Sequence, residues 1–345
     1  MKLSELKNHI NERQINFVAF CMTPWHLVGA KACCYYLKDC GKIVNPIFIA
    51  LPHFSNGYLL KENIEDNICY LDNDISVTIK KYIPFLFKSS FRRANRDVVY
   101  FAMPWYGNFK LAYALLNDTP FSFKFLIFEE GAGTYYLNKY KIPYLLKEQG
   151  FSLHLFQSVI DLKLSKLFYK DGRLLLLNPY VYKKNELVEN QKAINAYKKS
   201  LIIKQYCTLE ENRVIIALQE VNEDIIKIVK NVIDILVSKR YEVYIKPHPR
   251  FPLTIDFDNR VTIVKESKAL ELLEGEIRAK YIISFYSTAL ISLKWLYGIT
   301  PISLFYLLGY TNDARNKDIF DFFVIFEKFI LSPKNISEFE TLFNN

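Results

Sequence analysis

The chain is short of glycine, with only 11 glycines among 345 residues, and it has no repeat of fixed period and no low-complexity segment. These absences argue against collagen-like, glycine-rich and repeat architectures. Hydrophobic residues make up 51% of the sequence and charged residues 23%. Such a composition argues against disorder, and at ~150 residues per domain the length is sufficient for two domains.

Long apolar runs are missing as well. No window reaches the roughly eighteen uncharged apolar residues that a membrane-spanning helix needs. The opening segment, residues 1–7, is polar and amphipathic and lacks the pattern of a signal peptide. The sequence therefore predicts a cytoplasmic protein.

Cysteine and histidine lack the spacing of a metal site. The six cysteines form no CxxC pair, and the five histidines are scattered along the chain. Because zinc needs clustered ligands, we expect no metal ion. Disulfide frameworks are typical of small secreted chains, so the cysteines are predicted to be reduced and partly buried.

Positive charge is present but not concentrated. The net charge is +9, and no block of five or six like charges occurs. Spread positive charge is typical of a solvated surface, so the sequence does not require a nucleic-acid partner. A peripheral contact with an anionic membrane, at the inner face of the cell membrane, is the second interpretation. The pattern says nothing about the oligomeric state.

The first half of the sequence alternates apolar runs of strand length with segments of helical periodicity. Strand, helix, strand is the unit of a parallel sheet that is covered on both faces. The predicted strands are residues 15–21, 44–50, 97–101 and 123–128, and the predicted helices are 25–37 and 108–116.

The signal weakens between residues 150 and 207, where helical patterns dominate, and a second strand and helix series then begins. We predict an α/β protein with two Rossmann-like, doubly wound domains facing a cleft, divided into residues 1–207 and 208–345. The second series comprises strands 213–218, 241–245, 260–264, 281–284 and 301–305 and helices 224–236, 269–273 and 290–297.

The segment Lys246–Arg250 directly follows an apolar strand. Its two prolines stiffen the loop, and Pro249 favours an extended backbone at His248. Lys246 and Arg250 bring positive charge to the imidazole, which suits a phosphate group or proton donation to a leaving group. A rigid turn with a capping histidine explains the spacing equally well.

The segment Ser284–Leu290 also follows an apolar strand and leads into a helix. Hydroxyl groups and backbone N–H groups at a helix start can bind an anion. The alternative is an ordinary N-cap, for which Ser and Thr are preferred. Considered with the His248 loop, we interpret Ser284, Ser287 and Thr288 as part of a phosphate clamp.

Two carboxylates, Glu129 and Glu130, stand at the end of an apolar strand, before Gly131. Neighbouring carboxylates repel when both are ionised, which raises one pKa and makes a usable base. If the strand continues through them, the two side chains point to opposite sides. A solvated pair at a turn is the alternative.

The segment Thr23–His26 ends the first strand and starts a helix. Its hydroxyl and imidazole groups are candidates for contact with an acceptor. Thr23 as N-cap, with Pro24 at the first helical position, is an adequate structural explanation.

In their order along the chain, these four segments resemble bacterial sialyltransferases of the lipooligosaccharide-sialyltransferase and capsule polysialyltransferase families. The matching pieces are an acidic-acidic-Gly motif at Glu129–Gly131, a His-Pro motif at His248 and Pro249, and a Ser-Thr pair at Ser287 and Thr288. The Thr-Pro pair at Thr23 and Pro24 also matches. The sequence departs from many relatives in having Ser-Thr instead of two serines, and from some in having Glu-Glu instead of aspartates.

The resemblance implies a glycosyltransferase-B fold and an inverting transfer that needs neither a metal ion nor a cofactor. The donor would be CMP-sialic acid, and the acceptor a glycan hydroxyl of a bacterial surface polysaccharide or lipooligosaccharide. Residues 1–207 would serve the acceptor, and residues 208–345 would bind the nucleotide sugar.

Site roles follow from the same resemblance. Glu130 is the first choice for the general base that deprotonates the acceptor hydroxyl, and Glu129 is the reserve. His248 would contact the donor phosphate and stabilise or protonate the leaving CMP, while Ser287 and Thr288 would hold that phosphate.

Two other functions remain open from the sequence. A transferase of another nucleotide sugar, such as a glucosyl or Kdo donor, or a nucleotide-sugar epimerase would use similar His-Pro loops and hydroxyl groups. A non-catalytic capsule-assembly protein that binds glycans on a degenerate transferase scaffold is the third hypothesis.

Overall fold

In the computed structural model, the chain forms two compact units, each with its own parallel sheet. The first unit comprises Met1–Val181 and Val188–Leu201, and the second comprises Tyr182–Leu187 and Ile202–Asn345. The structure describes residues 3–12, 14–21, 23–50, 68–70, 98–104, 122–129, 169–170, 172, 174–183, 186–201, 208–219, 222–248, 257, 259–265, 268–309 and 324–344.

The sheet of the first unit has six strands in the order β3-β2-β1-β4-β5-β6, and all neighbours are parallel. Helices α1 (Leu3–Asn11), α2 (Pro24–Asp39) and α3 (Gln191–Ser200) accompany it. The strands are β1 (Phe17–Cys21), β2 (Pro46–Ala50), β3 (Ile68–Tyr70), β4 (Val98–Met103), β5 (Ser122–Phe128) and β6 (Leu174–Leu177).

Strand β1 is buried at all five of its residues. A near-continuous apolar strand of this kind is typical of a parallel sheet covered on both faces. Helix α2 packs against β1 and β5 and also against α3. The first unit therefore has its core between the sheet and the pair α2 and α3.

Gly29 allows α2 to lie unusually close to the end of β5. A Cβ atom at this position would lie 2.4 Å from Cδ2 of Phe128, whose ring is fully buried. Real Cβ atoms do not approach so closely, so any larger residue would force the helix or the ring to move. The glycine thus fixes the distance between α2 and the residue that precedes Glu129.

Three buried thiols lie in the same core. Cys21, Cys33 and Cys34 are buried, and Cys40 is exposed; none of these four forms a disulfide. Burial raises the pKa of Cys21 and of Cys33, with the neighbouring thiols adding to the effect. These buried side chains are protonated at neutral pH, which is typical of structural rather than reactive cysteines.

The sheet of the second unit has five strands in the order β11-β10-β9-β12-β13, again parallel throughout. Its strands are β9 (Glu210–Ala217), β10 (Glu242–Lys246), β11 (Val261–Ile263), β12 (Ala279–Ser284) and β13 (Thr300–Ser303). Its helices are α4 (Glu223–Ser238), α5 (Leu270–Ile277), α6 (Ala289–Tyr297) and α7 (Ile336–Thr341), with a short 3-10 helix at Phe305–Leu308.

Helix α4 is a clear case of local sequence determining structure. Asn222 caps it by accepting a hydrogen bond from the N–H of Ile225 at 2.9 Å, and acidic residues in the first turn favour the positive end of the helix dipole. Five apolar side chains spaced for one face are buried against the sheet: Ile225, Val229, Val232, Ile233 and Leu236.

The predicted α/β class with parallel sheets is confirmed, and most predicted elements lie within a few residues of the observed ones. The predicted helix at 108–116 lies outside the described residues. Between residues 150 and 207 helices were expected to dominate, yet the described part holds β6, a two-stranded sheet of β7 (Tyr180–Lys183) and β8 (Glu186–Glu189), and α3.

The reason for that difference is the run Leu174–Leu177. A short apolar run does not reveal by periodicity whether it is strand or helix. Its pairing with Phe125–Phe128 of β5 decides for strand, and that pairing is a tertiary contact.

No helix within the described residues is long and apolar enough to cross a membrane. Within that same part of the chain, no cluster of three or more His, Cys, Asp or Glu is placed to hold a metal ion.

Candidate active site

In the first unit, the candidate residues follow strands that end at one edge of the sheet. Thr23 and His26 come after β1, and Glu129 comes directly after β5. Because all strands are parallel, the carboxyl ends of β1 and β5 lie at the same edge, separated only by β4. Open α/β sheets bind ligands at this edge.

Thr23 is the N-cap of α2, with Pro24 at the first helical position. Its Oγ1 atom accepts a hydrogen bond from the N–H of His26 at 3.2 Å. The structure therefore shows the capping role that the sequence offered for Thr23. Contact between Thr23 and an acceptor stays a prediction.

His26 is only 3% exposed, and its ring packs edge-on against Phe128 with a centroid distance of 6.0 Å. Burial lowers the pKa of His26 to about 4. The imidazole is consequently neutral at pH 7 and brings no positive charge to a substrate. Its contact with the acceptor stays a prediction.

Glu129 is 1% exposed, so its carboxyl group lies inside the unit rather than on its rim. Its backbone N–H donates a hydrogen bond to the phenol oxygen of Tyr197 at 2.9 Å. Burial is the main cause of the raised pKa of Tyr197, and the charge of Glu129 raises it further. The pKa of Tyr180 is raised mainly by burial, then by the charge of Glu189 and then by that of Glu129. Two buried tyrosines thus lie close to this carboxyl group.

The interpretation of Glu129 as half of a solvated pair at a turn is wrong for this residue, because its carboxyl group is buried. Glu130 and Gly131, the other two residues of the motif, lie outside the described residues.

Sequence reasoning missed Tyr197 and the contact of Trp25. The rings of these two residues stack with centroids 5.6 Å apart and planes inclined by 24°. The helical spacing of buried residues in α3 predicts that Tyr197 faces the core. No local signal, however, indicates that its hydroxyl group reaches Glu129, which is 68 positions earlier in the chain.

In the second unit, Lys246 is the last residue of β10 and His248 follows two positions later. Lys246 is only 5% exposed, and its Nζ donates a hydrogen bond to the carbonyl of Pro247 at 3.0 Å. His248 is partly buried. The lysine thus contacts the peptide that leads into the histidine, while Pro249 and Arg250 lie outside the described residues.

Ser284 is the last residue of β12 and is fully buried. Its hydroxyl donates to the carbonyl of Ala217, the last residue of β9, at 2.6 Å. In the sheet register, Lys246 is the partner of the same Ala217. The His248 loop and the Ser287 turn therefore leave the sheet on either side of β9, at its carboxyl edge.

Ser287 and Thr288 form the start of α6. The Oγ of Ser287 accepts a hydrogen bond from the N–H of Ala289 at 3.2 Å, while the Thr288 side chain makes no capping bond. Both residues are partly exposed. The Ser287 hydroxyl thus bonds to the first backbone N–H of α6, whereas Thr288, which is the N-cap, does not use its hydroxyl as a cap.

Glu271, on α5, is a second residue that sequence reasoning missed. Its Oε1 accepts a hydrogen bond from the hydroxyl of Ser292 at 2.6 Å, and that hydroxyl also lies 3.4 Å from the carbonyl of Thr288. Burial raises the pKa of Glu271. The hydroxyl group of Ser292 therefore connects the carboxyl group of Glu271 to the start of α6.

Comparisons with known proteins bear on the family and the fold of the chain. A family model described as alpha-2,8-polysialyltransferase matches residues 18–306. A UDP-GlcNAc 2-epimerase from Methanocaldococcus jannaschii superposes with a TM-score of 0.53 at 13% identity, over 95% of this chain and 93% of that chain. A sialyltransferase from Photobacterium damsela has a TM-score of 0.48 at 10% identity, over 92% and 81% of the two chains.

No curated protein matches the sequence. At 13% identity, the likeness to the epimerase shows that the fold is shared and nothing about the reaction. The family model, by contrast, covers most of the 345 residues and includes every strand from β2 to β13.

Proposed function

Because the chain belongs to the alpha-2,8-polysialyltransferase family, we propose that it transfers sialic acid from CMP-sialic acid to a glycan hydroxyl, with inversion and without a metal ion. It is a glycosyltransferase that takes a nucleotide-sugar donor and a glycan acceptor. The observation that carries the proposal is the family match over residues 18–306. The proposed acceptor is a bacterial surface polysaccharide or lipooligosaccharide.

We assign the general base to Glu130, with Glu129 in reserve. A carboxyl group that is 1% exposed, as that of Glu129 is, is poorly placed to take a proton from an acceptor that arrives through solvent. The burial of Glu129 therefore supports Glu130 as the first choice. In the transfer, the acceptor hydroxyl gives its proton to this carboxylate while its oxygen bonds to the anomeric carbon.

The leaving group is the phosphate oxygen of CMP, whose bond to the anomeric carbon breaks in the same step. Negative charge grows on that oxygen, and His248 is proposed to neutralise it by donating a proton. Its position after β10, beside a buried lysine that holds the preceding carbonyl, supports a fixed orientation. Arg250 is proposed to add charge to the same phosphate.

The turn before α6 is proposed to hold the donor phosphate through Ser287 and Thr288. Their partial exposure and their position at a helix start both favour an anion. Ser284 is better suited to an indirect part, since its hydroxyl is fully buried and bonded to Ala217. It would set the path of the chain toward Ser287.

Purified protein with CMP-sialic acid tests the reaction directly. With sialylated or lactose-type acceptors, we expect CMP release together with a sialylated product, and no loss of rate when EDTA is added. Absence of CMP release with every acceptor would contradict the proposal.

A thermal-shift panel of CMP, CDP, UDP and GDP separates the donor classes. Binding to the folded state raises the melting temperature by mass action. Stabilisation by CMP is expected, whereas stabilisation by UDP alone would favour another nucleotide sugar or an epimerase.

Peripheral membrane contact and a cytoplasmic location are further parts of the proposal. The net charge of +9 supports attraction to anionic lipid. Pelleting with anionic liposomes should bring the protein down at low salt, and absence of binding at every salt concentration would exclude the contact.

A further inference from the structure

Glu129, the first residue of the acidic motif, directly follows β5, and its backbone amide is bonded to a side chain. The N–H of Glu129 lies just beyond the last residue of β5 and donates to the phenol oxygen of Tyr197 at 2.9 Å. A buried backbone donor needs a partner, because leaving it without one destabilises the folded state. Here that partner comes from a helix that is remote in sequence.

Tyr197 is held rigidly enough to act as a fixed reference point. The residue is 0% exposed, and its ring stacks on Trp25 at 5.6 Å. Its own carbonyl accepts a hydrogen bond from the hydroxyl of Ser200 at 2.7 Å. Helix α3, which carries Tyr197, packs against α2, which carries Trp25. The phenol oxygen is therefore positioned by two packed helices rather than by a loop.

Tyr197 remains an uncharged phenol throughout the neutral pH range. Burial, followed by the charge of Glu129, raises the pKa of Tyr197 well above its ordinary value, and the hydrogen bond from the Glu129 backbone opposes this only in part. A neutral phenol oxygen can accept the amide hydrogen bond without bringing a negative charge next to the buried carboxyl group of Glu129.

The bond also fixes where the acidic motif begins. With the amide of Glu129 held by Tyr197, and Phe128 held by its contact with α2 at Gly29, the plane of the peptide between these two residues is fixed, and with it the position of the Glu129 Cα atom. Displacement of a catalytic group by about 1 Å costs ~10²-fold in rate.

We propose that Tyr197 is a positioning residue, whose phenol oxygen holds the peptide N–H of Glu129 and thereby places the acidic motif for proton transfer. Tyr197 does not contact the substrate in this role. The kinetic part of the inference rests on the proposed transfer reaction, whereas the structural part does not.

Hydrogen exchange tests the structural part without any activity. In the wild-type chain, the Glu129 amide should exchange at least ~10-fold more slowly than an unprotected amide, as resolved by overlapping peptides that end at residues 128 and 129. In Tyr197→Phe, which keeps the ring and loses only the oxygen, exchange at this amide should rise ~10-fold. A fast-exchanging amide in the wild type, or an unchanged one in the variant, would overturn the proposal.

Kinetics test the positioning part. We expect Tyr197→Phe to lower kcat for sialyl transfer ~10-fold or more, with the KM for the donor unchanged, at a temperature where circular dichroism shows it folded. Tyr297→Phe is the matched control, because its hydroxyl donates to the carbonyl of Glu271 at 2.7 Å in the second unit. It also loses a hydrogen bond between a tyrosine hydroxyl and the backbone, although there the hydroxyl is the donor, and it should keep the wild-type kcat.

The possible results separate the two claims. Faster amide exchange with an unchanged kcat overturns the positioning role, and so does an equal loss of kcat in Tyr197→Phe and Tyr297→Phe. A wild-type protein that releases no CMP overturns the proposed transfer and the kinetic part with it. The exchange measurement on the wild-type chain decides the structural part even if Tyr197→Phe fails to fold.

Discussion

The two units present their candidate groups in contrasting ways. In the first unit, His26, Glu129 and Tyr197 are at most 3% exposed and lie among aromatic rings. In the second unit, His248, Ser287 and Thr288 are partly exposed at the carboxyl edge of the sheet. Burial shifts the pKa of His26 and Tyr197 strongly, whereas partly exposed groups remain open to a ligand.

This difference in burial separates residues that can support the site from residues that can contact a ligand. Buried polar groups are costly unless they are bonded, so those of the first unit are expected to act by holding other groups in place. The partly exposed groups of the second unit can meet a phosphate directly. Substitutions of these partly exposed residues should therefore reduce activity with little effect on folding, and substitutions of the buried residues of the first unit should reduce stability as well.

The largest effect is expected from His248→Ala. Loss of a proton donor to the leaving group should lower turnover ~10²- to 10⁴-fold while the protein stays folded. CMP release at saturating donor measures it. His9→Ala is the control, because His9 is exposed on α1 and bonds only locally to Gln14. An unchanged rate in His248→Ala would remove this residue from the site.

Gly29→Ala probes the first unit with the next largest effect. Alanine gains about 1 kcal/mol of helix propensity over glycine, but its Cβ would lie 2.4 Å from the buried Phe128 ring. Overpacking costs ~1–3 kcal/mol, and displacement of Phe128 would also disturb Glu129. Urea unfolding should show net destabilisation, together with a reduced kcat.

A comparison with Gly298→Ala makes the Gly29 result specific. Gly298 ends α6 with φ +78, and a Cβ there meets no atom within 4 Å. This change should cost only the strain of a left-handed backbone, ~1 kcal/mol, and leave kcat intact. A stable, fully active Gly29→Ala variant would contradict the close packing of α2 on β5.

Acid should destabilise the first unit through His26. Its folded-state pKa of about 4 lies below the ordinary 6.5, so the unfolded chain takes up a proton first. Stability present above pH 6.5 is lost as pH falls from 6.5 toward 4, by about 2 kcal/mol at pH 5. His26→Gln does not titrate, so its deficit relative to wild type should shrink by that amount between pH 7 and pH 5. A constant deficit would show that His26 is not buried in its neutral form.

Substitution of Glu271 should give the smallest effect, and the pH dependence of its stability change should be opposite to that of His26. Burial raises its pKa above the ordinary 4.5, so the folded state holds the proton more tightly than the unfolded chain. The associated stability is present below pH 4.5 and is lost as pH rises through the folded-state pKa. Glu271→Gln should therefore gain stability relative to wild type between pH 4 and pH 7, and thermal unfolding at both values measures it.

Most strands and helices were predictable because their signals are local. In α4, the cap at Asn222 and the apolar face from Ile225 to Leu236 are both visible in the sequence. The strand β6 was not predicted, because four leucines carry no period and only pairing with β5 identifies them.

Part of the candidate site was predictable for the same reason. His248, Ser287 and Glu129 each follow an apolar strand, and that position alone indicates the ligand-binding edge of an open sheet. Tyr197 and Glu271 were missed, since a buried tyrosine on a helix and an acidic residue in a helix are both common without any role at a site. The burial of Glu129 was also beyond the sequence, which left a solvated pair open.

The sequence by itself determined the α/β class, the parallel strands and the order of the motifs along the chain, because apolar runs and their polar ends are properties of neighbouring residues. Tertiary structure decided which strand ends are adjacent. The loops of His248 and Ser287 flank β9 because β10 and β12 both pair with it. It also decided that Tyr197 holds the Glu129 amide, since that bond exists only after α3 packs against α2.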